Sequence, residues 1–200
     1  MVHHDDIRVI SFTGSNETGS RIAAECGRQL KKVSLELGGK NAVIVMDDAD
    51  LDLAIPGSLF GVFLLSGQLC ESGTRLFVPN SIYEDVIERL VALTKTLRVG
   101  HQLDLNTSVG PIISQDQKDT ILSYIEAGKA EGARLVCGGK EAEVPGGENG
   151  FFIEPTIFAD VTNDMKIAQE EIFGPVLSVI RYDTVEEVIE MANDTIYGLA

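Results

Sequence analysis

Cys70 stands in Ser66-Gly67-Gln68-Leu69-Cys70-Glu71-Ser72-Gly73-Thr74-Arg75, thirty-four positions after Glu36 in Leu35-Glu36-Leu37-Gly38-Gly39-Lys40. A thiol among small, polar turn residues is within reach of a substrate. A carboxylate two positions before Gly-Gly has no bulky neighbour to obstruct its swing. These are the residue types of covalent thiol chemistry assisted by a carboxylate base. An ordinary thiol has a pKa of about 8.5, so such a nucleophile needs activation by a base or by local backbone amides. Without this context Cys70 would read as a small buried hydrophobe and Glu36 as a strand-end surface carboxylate. Cys26 on a helical stripe and Cys137 within Leu135-Val136-Cys137 read as structural.

The elements that must position this pair follow from hydrophobic periodicity. Val9–Phe12 reads as a strand, Thr13–Gly19 as a loop, and Ile22, Ala23, Cys26 and Leu30 as one helical stripe. Lys32–Leu37 and Ala42–Met46 read as strands. Asp47-Asp48-Ala49-Asp50 then opens a helix whose apolar residues from Leu51 to Leu65 predict a mostly buried element stopped by Ser66-Gly67. Thr74–Val78 is a further strand. Capping boxes are expected at Ser81–Glu84 and Ser114–Gln117, and Thr184–Glu187 caps a helix ending at Asn193. Ala133–Cys137, the surroundings of Phe158, and Val176–Tyr182 supply the remaining strands, with an exposed hairpin or loop over Gly138–Gly150. Strands alternating with helices predict an α/β fold: a mainly parallel sheet flanked by helices, without internal repeats.

Composition narrows the partners. The chain has 200 residues, 44% of them hydrophobic, enough for one substantial core or a domain and a piece of another. A net charge of −15 would repel nucleic acid and anionic membrane surfaces, so neither is expected as a partner. The longest apolar run, Leu59–Leu65, falls far short of the roughly 20 residues a membrane helix needs. Three cysteines without paired spacing point to a reducing cytoplasm and a free Cys70 thiol. His3, His4 and His101 lie at no ligand spacing from a cysteine, so no metal is expected. Gly14-Ser15-Asn16-Glu17-Thr18-Gly19 lacks both G-x-G-x-x-G and the P-loop lysine. A strand before it and a helix after it would nonetheless aim amides at a phosphate.

The segments around Glu36 and Cys70, together with Phe12-Thr13-Gly14-Ser15, Glu170-Glu171-Ile172-Phe173-Gly174-Pro175 and Tyr197-Gly198-Leu199-Ala200, resemble the NAD(P)-dependent aldehyde dehydrogenases, in that family's order and over essentially the whole chain. The resemblance implies Cys70 as nucleophile and Glu36 as the base for thioester hydrolysis, with a carboxylic acid as product. It further implies Gly14 and Ser15 at the cofactor pyrophosphate, Glu171 on the nicotinamide ribose and Phe173 beside the nicotinamide of NAD or NADP. The implied substrate is a small-molecule aldehyde and the parent enzyme a homo-oligomer. Residues 1–38 would be the end of the cofactor-binding domain and 39–200 most of the catalytic domain, truncated at its C-terminus, so the chain is expected to be a fragment. Segments expected elsewhere in the family carry an oxyanion-hole asparagine, a ribose-binding lysine and the subunit-pairing strand. Two other readings attach to the same residues: a non-catalytic structural or binding module, and a thiol esterase.

Overall fold

In the computed structural model, which describes residues 1–199, two sheets meet near Gly38–Lys40. Strands β1 (Val9–Thr13) and β2 (Lys32–Glu36) form a parallel pair, joined by helix α1 (Asn16–Arg28). The larger sheet holds β3 (Ala42–Ile44), β4 (Arg75–Pro79), β5 (Arg134–Cys137), β6 (Thr156–Val161) and β7 (Val176–Tyr182) in the order β3-β4-β7-β6-β5. Every pairing in it is parallel except β5 with β6. The expected mainly parallel α/β architecture is therefore observed. Ala200, the end of the Tyr197–Ala200 segment and of the 39–200 domain assignment, lies outside the described residues.

Strand alternation sorts the larger sheet into two cores. Leu76, Val78, Ile157, Ala159, Leu177 and Val179 face helices α2 (Leu51–Phe63) and α3 (Tyr83–Thr94). Phe77, Phe158, Val176, Ile180 and Tyr182 face α4 (Gln115–Ala130), α5 (Lys166–Gln169) and α6 (Val185–Asn193). A register shift between Phe158 and Val161, with Asp160 at φ 54°, turns Val161 to the second core. Burying each such aliphatic or aromatic side chain contributes about 1.5–3 kcal/mol, which makes the double-sided sheet the rigid part of the molecule. Among the described residues no helix is long and apolar enough to cross a membrane.

Several local expectations change. Leu30 does not continue the α1 stripe: the helix ends at Arg28, and Leu30 is exposed in left-handed backbone. α2 is only half buried, since Ile55, Leu59, Val62 and Phe63 pack inward while Leu53 and Phe60 are exposed. Ser81 caps no helix, for its hydroxyl donates to Asp47 and α3 starts at Tyr83 without a side-chain cap. At Ser114 half the box forms: its Oγ accepts from Gln117 N, but the Gln117 side chain goes elsewhere. Thr184 does cap α6, accepting from Glu187 N while the Glu187 carboxylate accepts from Asp183 N.

Candidate active site

A cavity of about 480 Å³ opens where the two sheets meet, lined by Gly14 and Ser15, Leu37 and Gly38, Gln68 to Cys70, Gln117 and Tyr124 of α4, and Glu171 to Phe173. Four of its walls are loops at strand ends. The tip of β1 turns into α1 at Gly14-Ser15, where Ser15 Oγ accepts from Thr18 N and Gly14 N donates to Glu36 O. The N-cap of this thirteen-residue helix thus lies at the cavity. Gly38 N donates to Asn16 Oδ1, fastening the end of β2 to the same turn.

Cys70 follows the 3-10 turn Leu64–Gly67, in which Leu65 and Ser66 adopt left-handed backbone at φ 48° and 62°. This segment is pinned from several sides. Ser66 Oγ donates to Gly110 O at 2.9 Å, Gln68 Oε1 accepts from Ile113 N at 2.9 Å, and Ser72 Oγ donates to Gly61 O at the end of α2. The Cys70 carbonyl accepts from Asn41 Nδ2 at 3.2 Å. Its half-buried thiol donates to the Glu71 carboxylate at 3.1 Å. That bond comes first, then burial, in holding the thiol above its ordinary range; the backbone amides of Cys70 and Glu71 pull it down, as expected of local amides, but are outweighed.

Glu171 is half buried, and its Oε1 accepts from Gly39 N at 3.1 Å. Burial raises its pKa, opposed by that amide and by Lys40. Gly38-Gly39 also has a packing role. A Cβ on Gly38 would run into the Glu171 carboxylate, and one on Gly39 into the Cys70 carbonyl. The two glycines therefore give Glu171 and Cys70 room. Phe173 holds φ 54°, and Gln117 Nε2 donates to both Ile172 O at 2.9 Å and Phe173 O at 3.0 Å. Glu170 is not part of the cavity lining; its carboxylate accepts from Tyr124 Oη at 2.7 Å.

Of the residues singled out from sequence, Gly14, Ser15, Cys70, Glu171 and Phe173 line one cavity. Glu36 does not; it ends β2 with an exposed side chain, one residue before Leu37, which does line it. Sequence reasoning missed Gln68, Gln117 and Tyr124, although Gln117 was visible as the third residue of a capping box. Arg75 is a carbonyl anchor: fully buried, it donates to Lys40 O, Met191 O and Ala192 O. Cys26 is fully buried in α1, and burial raises the Cys137 thiol, in keeping with structural roles.

The sequence matches the aldehyde dehydrogenase family over residues 1–200. The chain belongs to that family. A betaine aldehyde dehydrogenase of Brucella anthropi is 52% identical over the whole chain, which covers 41% of that protein. The chain thus spans about two fifths of the length of the curated relatives it matches. Among solved structures, betaine aldehyde dehydrogenase from Staphylococcus aureus in complex with NAD+ superimposes with a TM-score of 0.96 at 40% identity, over 99% of this chain and 39% of that one. The aldehyde dehydrogenase of Mycobacterium tuberculosis complexed with NAD+ gives 0.95 at 46% identity, over 98% and 40%.

Proposed function

We propose that this chain carries the thiol-bearing, nicotinamide-facing part of an NAD(P)-dependent aldehyde dehydrogenase. The observation that carries the reading is the shared cavity: a thiol, a half-buried carboxylate, an aromatic ring and a helix N-terminus converge on it. The donor set suits a dinucleotide, for the α1 amides and Ser15 would hold its pyrophosphate and the Glu171 carboxylate its ribose hydroxyls, with Phe173 against the nicotinamide. When bound, that group accepts the hydride. The NAD+ in the related structures favours NAD over NADP. We assign residues 1–38 to the end of the cofactor-binding domain and 39–200 to the catalytic domain, in a homo-oligomeric cytoplasmic enzyme.

In this reading the Cys70 thiolate attacks the aldehyde carbon, and the oxyanion of the thiohemiacetal lies against the Cys70 backbone amide. Loss of hydride leaves a thioester on sulfur. Glu36, turned toward the cavity, takes a proton from the water that attacks the thioester, releasing a carboxylic acid and restoring the thiol. Exposed at the end of β2, its side chain is unencumbered for that rotation. Betaine aldehyde is the first substrate to test, given the relatives.

The test is aldehyde-dependent NADH and NADPH formation by this chain and by a longer version with flanking sequence, each beside its Cys70→Ala variant. Turnover that vanishes with Cys70→Ala supports the reading. Silence in both versions with every aldehyde class overturns it, and release of phenol from an activated ester without cofactor would then favour a thiol esterase.

A further inference from the structure

The residue after the nucleophile is a glutamate, and its side chain is the hydrogen-bond partner of the sulfur. Cys70 Sγ donates to Glu71 Oε2 at 3.1 Å, while Glu71 itself is exposed and stands outside the cavity lining. We propose that Glu71 caps the nucleophile: in the resting site its carboxylate holds the thiol as S–H, and it must turn to solvent before the thiolate forms. This rests on Cys70 being the nucleophile.

The other charged and titratable groups around the sulfur are already engaged or turned away. Glu171, across the cavity, accepts from Gly39 N; Tyr124 on α4 donates to Glu170. Glu36 at the end of β2 lies outside the lining, and Lys40 is buried behind Gly39. Glu71 is thus the one carboxylate among the described residues in hydrogen-bond contact with the thiol. A carboxylate that accepts from S–H favours the protonated sulfur twice, through the bond and through its charge. In keeping with this, the thiol is raised and Glu71 lies below the usual carboxylate range because of the same bond.

Being exposed, the Glu71 side chain exchanges rotamers freely, so the cap opens without any rearrangement of the fold. On ionisation the S–H bond breaks, its electron pair stays on sulfur, and the proton passes to solvent while the carboxylate remains an anion. An idle site is thereby shielded from electrophiles and oxidants, which react with the thiolate.

The experiment follows alkylation of Cys70 by iodoacetamide against pH, resolved from Cys26 and Cys137 by peptide mass spectrometry, in the wild-type chain, Glu71→Gln and Glu71→Ala. It needs neither cofactor nor turnover, so its outcome is separable from that of the dehydrogenase assay. Far-ultraviolet circular dichroism verifies that the surface variants fold. Both variants should lower the alkylation midpoint by roughly half to one pH unit, so that Cys70 reacts about three- to tenfold faster at neutral pH. A direct contact keeps most of that shift at about 0.5 M salt, where through-space effects between exposed groups are largely screened. An unchanged midpoint, or a shift abolished by salt, overturns the cap.

Discussion

The centre of the large sheet and the rim of the cavity are built on opposite principles. In β7, Val176, Leu177 and Val179 have no exposed surface, and each sits between a hydrogen-bonded ladder and a packed helical layer. At the rim, Leu65, Ser66 and Phe173 account for three of the five non-glycine residues in left-handed backbone among the described residues. They are held by individual polar links from Ser66, Gln68 and Gln117. Left-handed conformation costs such residues on the order of 1–2 kcal/mol each, which surrounding contacts must offset. The sheet therefore loses stability when a residue is removed but keeps its geometry. The rim loses geometry first.

The sharpest contrast comes from one substitution in each region. Phe158→Ala empties a fully buried position in the second core and should cost about 3–5 kcal/mol, read as a drop in the urea midpoint, with Cys70 chemistry intact in whatever remains folded. Gly39→Ala should cost about 1–3 kcal/mol, because the new methyl meets a backbone carbonyl that cannot yield cheaply. Its larger consequence is local. Displacing the Cys70 carbonyl breaks the Asn41 link and should change Cys70 alkylation at temperatures where the protein is still folded. If Gly39→Ala left that rate untouched, the rim would be more tolerant than its packing implies.

The same division governs what was legible in the sequence. Strand and helix periodicity in Val176–Tyr182 and across α3 reports burial, a property each residue carries in its own chemistry. Cys70, Glu171 and the Gly14-Ser15 turn were legible because their local sequences are distinctive. What Gly38 and Gly39 make room for was not, since Glu171 is more than a hundred residues away and a glycine does not name its neighbour. Ser81 and Gln117 show the same limit. Each fits a local capping pattern, yet Ser81 bonds Asp47 and the Gln117 side chain crosses to the Phe173 loop. Half-buried α2 was misread because its sequence is apolar on both faces.

Lys40 lies where the two regions meet, and it sharpens the comparison through pH. Its Nζ is buried without a hydrogen-bond partner, and burial, then Arg75, lowers its pKa to about 7 against the partial opposition of Glu171 and Glu170. The unfolded chain keeps its proton up to about 10.5, so between about pH 7 and 10.5 the unfolded state binds the extra proton and stability rises with pH. Below that window the burial penalty is fully present. Lys40→Met should flatten this rise, and near pH 6 it should stabilise the protein by about 1–3 kcal/mol. Urea midpoints at several pH values test it; a destabilised variant near pH 6 would mean that the ammonium has a partner in solution.

The smallest effect on stability should carry the clearest effect on the site. Gln117→Ala removes two hydrogen bonds from an exposed-edge loop, worth about 1 kcal/mol each at most, and so should move Tm by only a few degrees. Phe173, however, holds φ at 54° in the loop that those two bonds fasten, and it is one wall of the cavity. Amide hydrogen exchange over residues 170–174 should quicken, and NAD should bind more weakly, raising KM more than it lowers kcat in the longer version of the enzyme. Gln117→Glu is the stricter variant. It keeps the size and the helix, but it sets a carboxylate against two carbonyl oxygens and should loosen the loop further than alanine does. Equal exchange rates in all three proteins would show that packing, not Gln117, fixes the Phe173 loop, and the rim would then resemble the sheet after all.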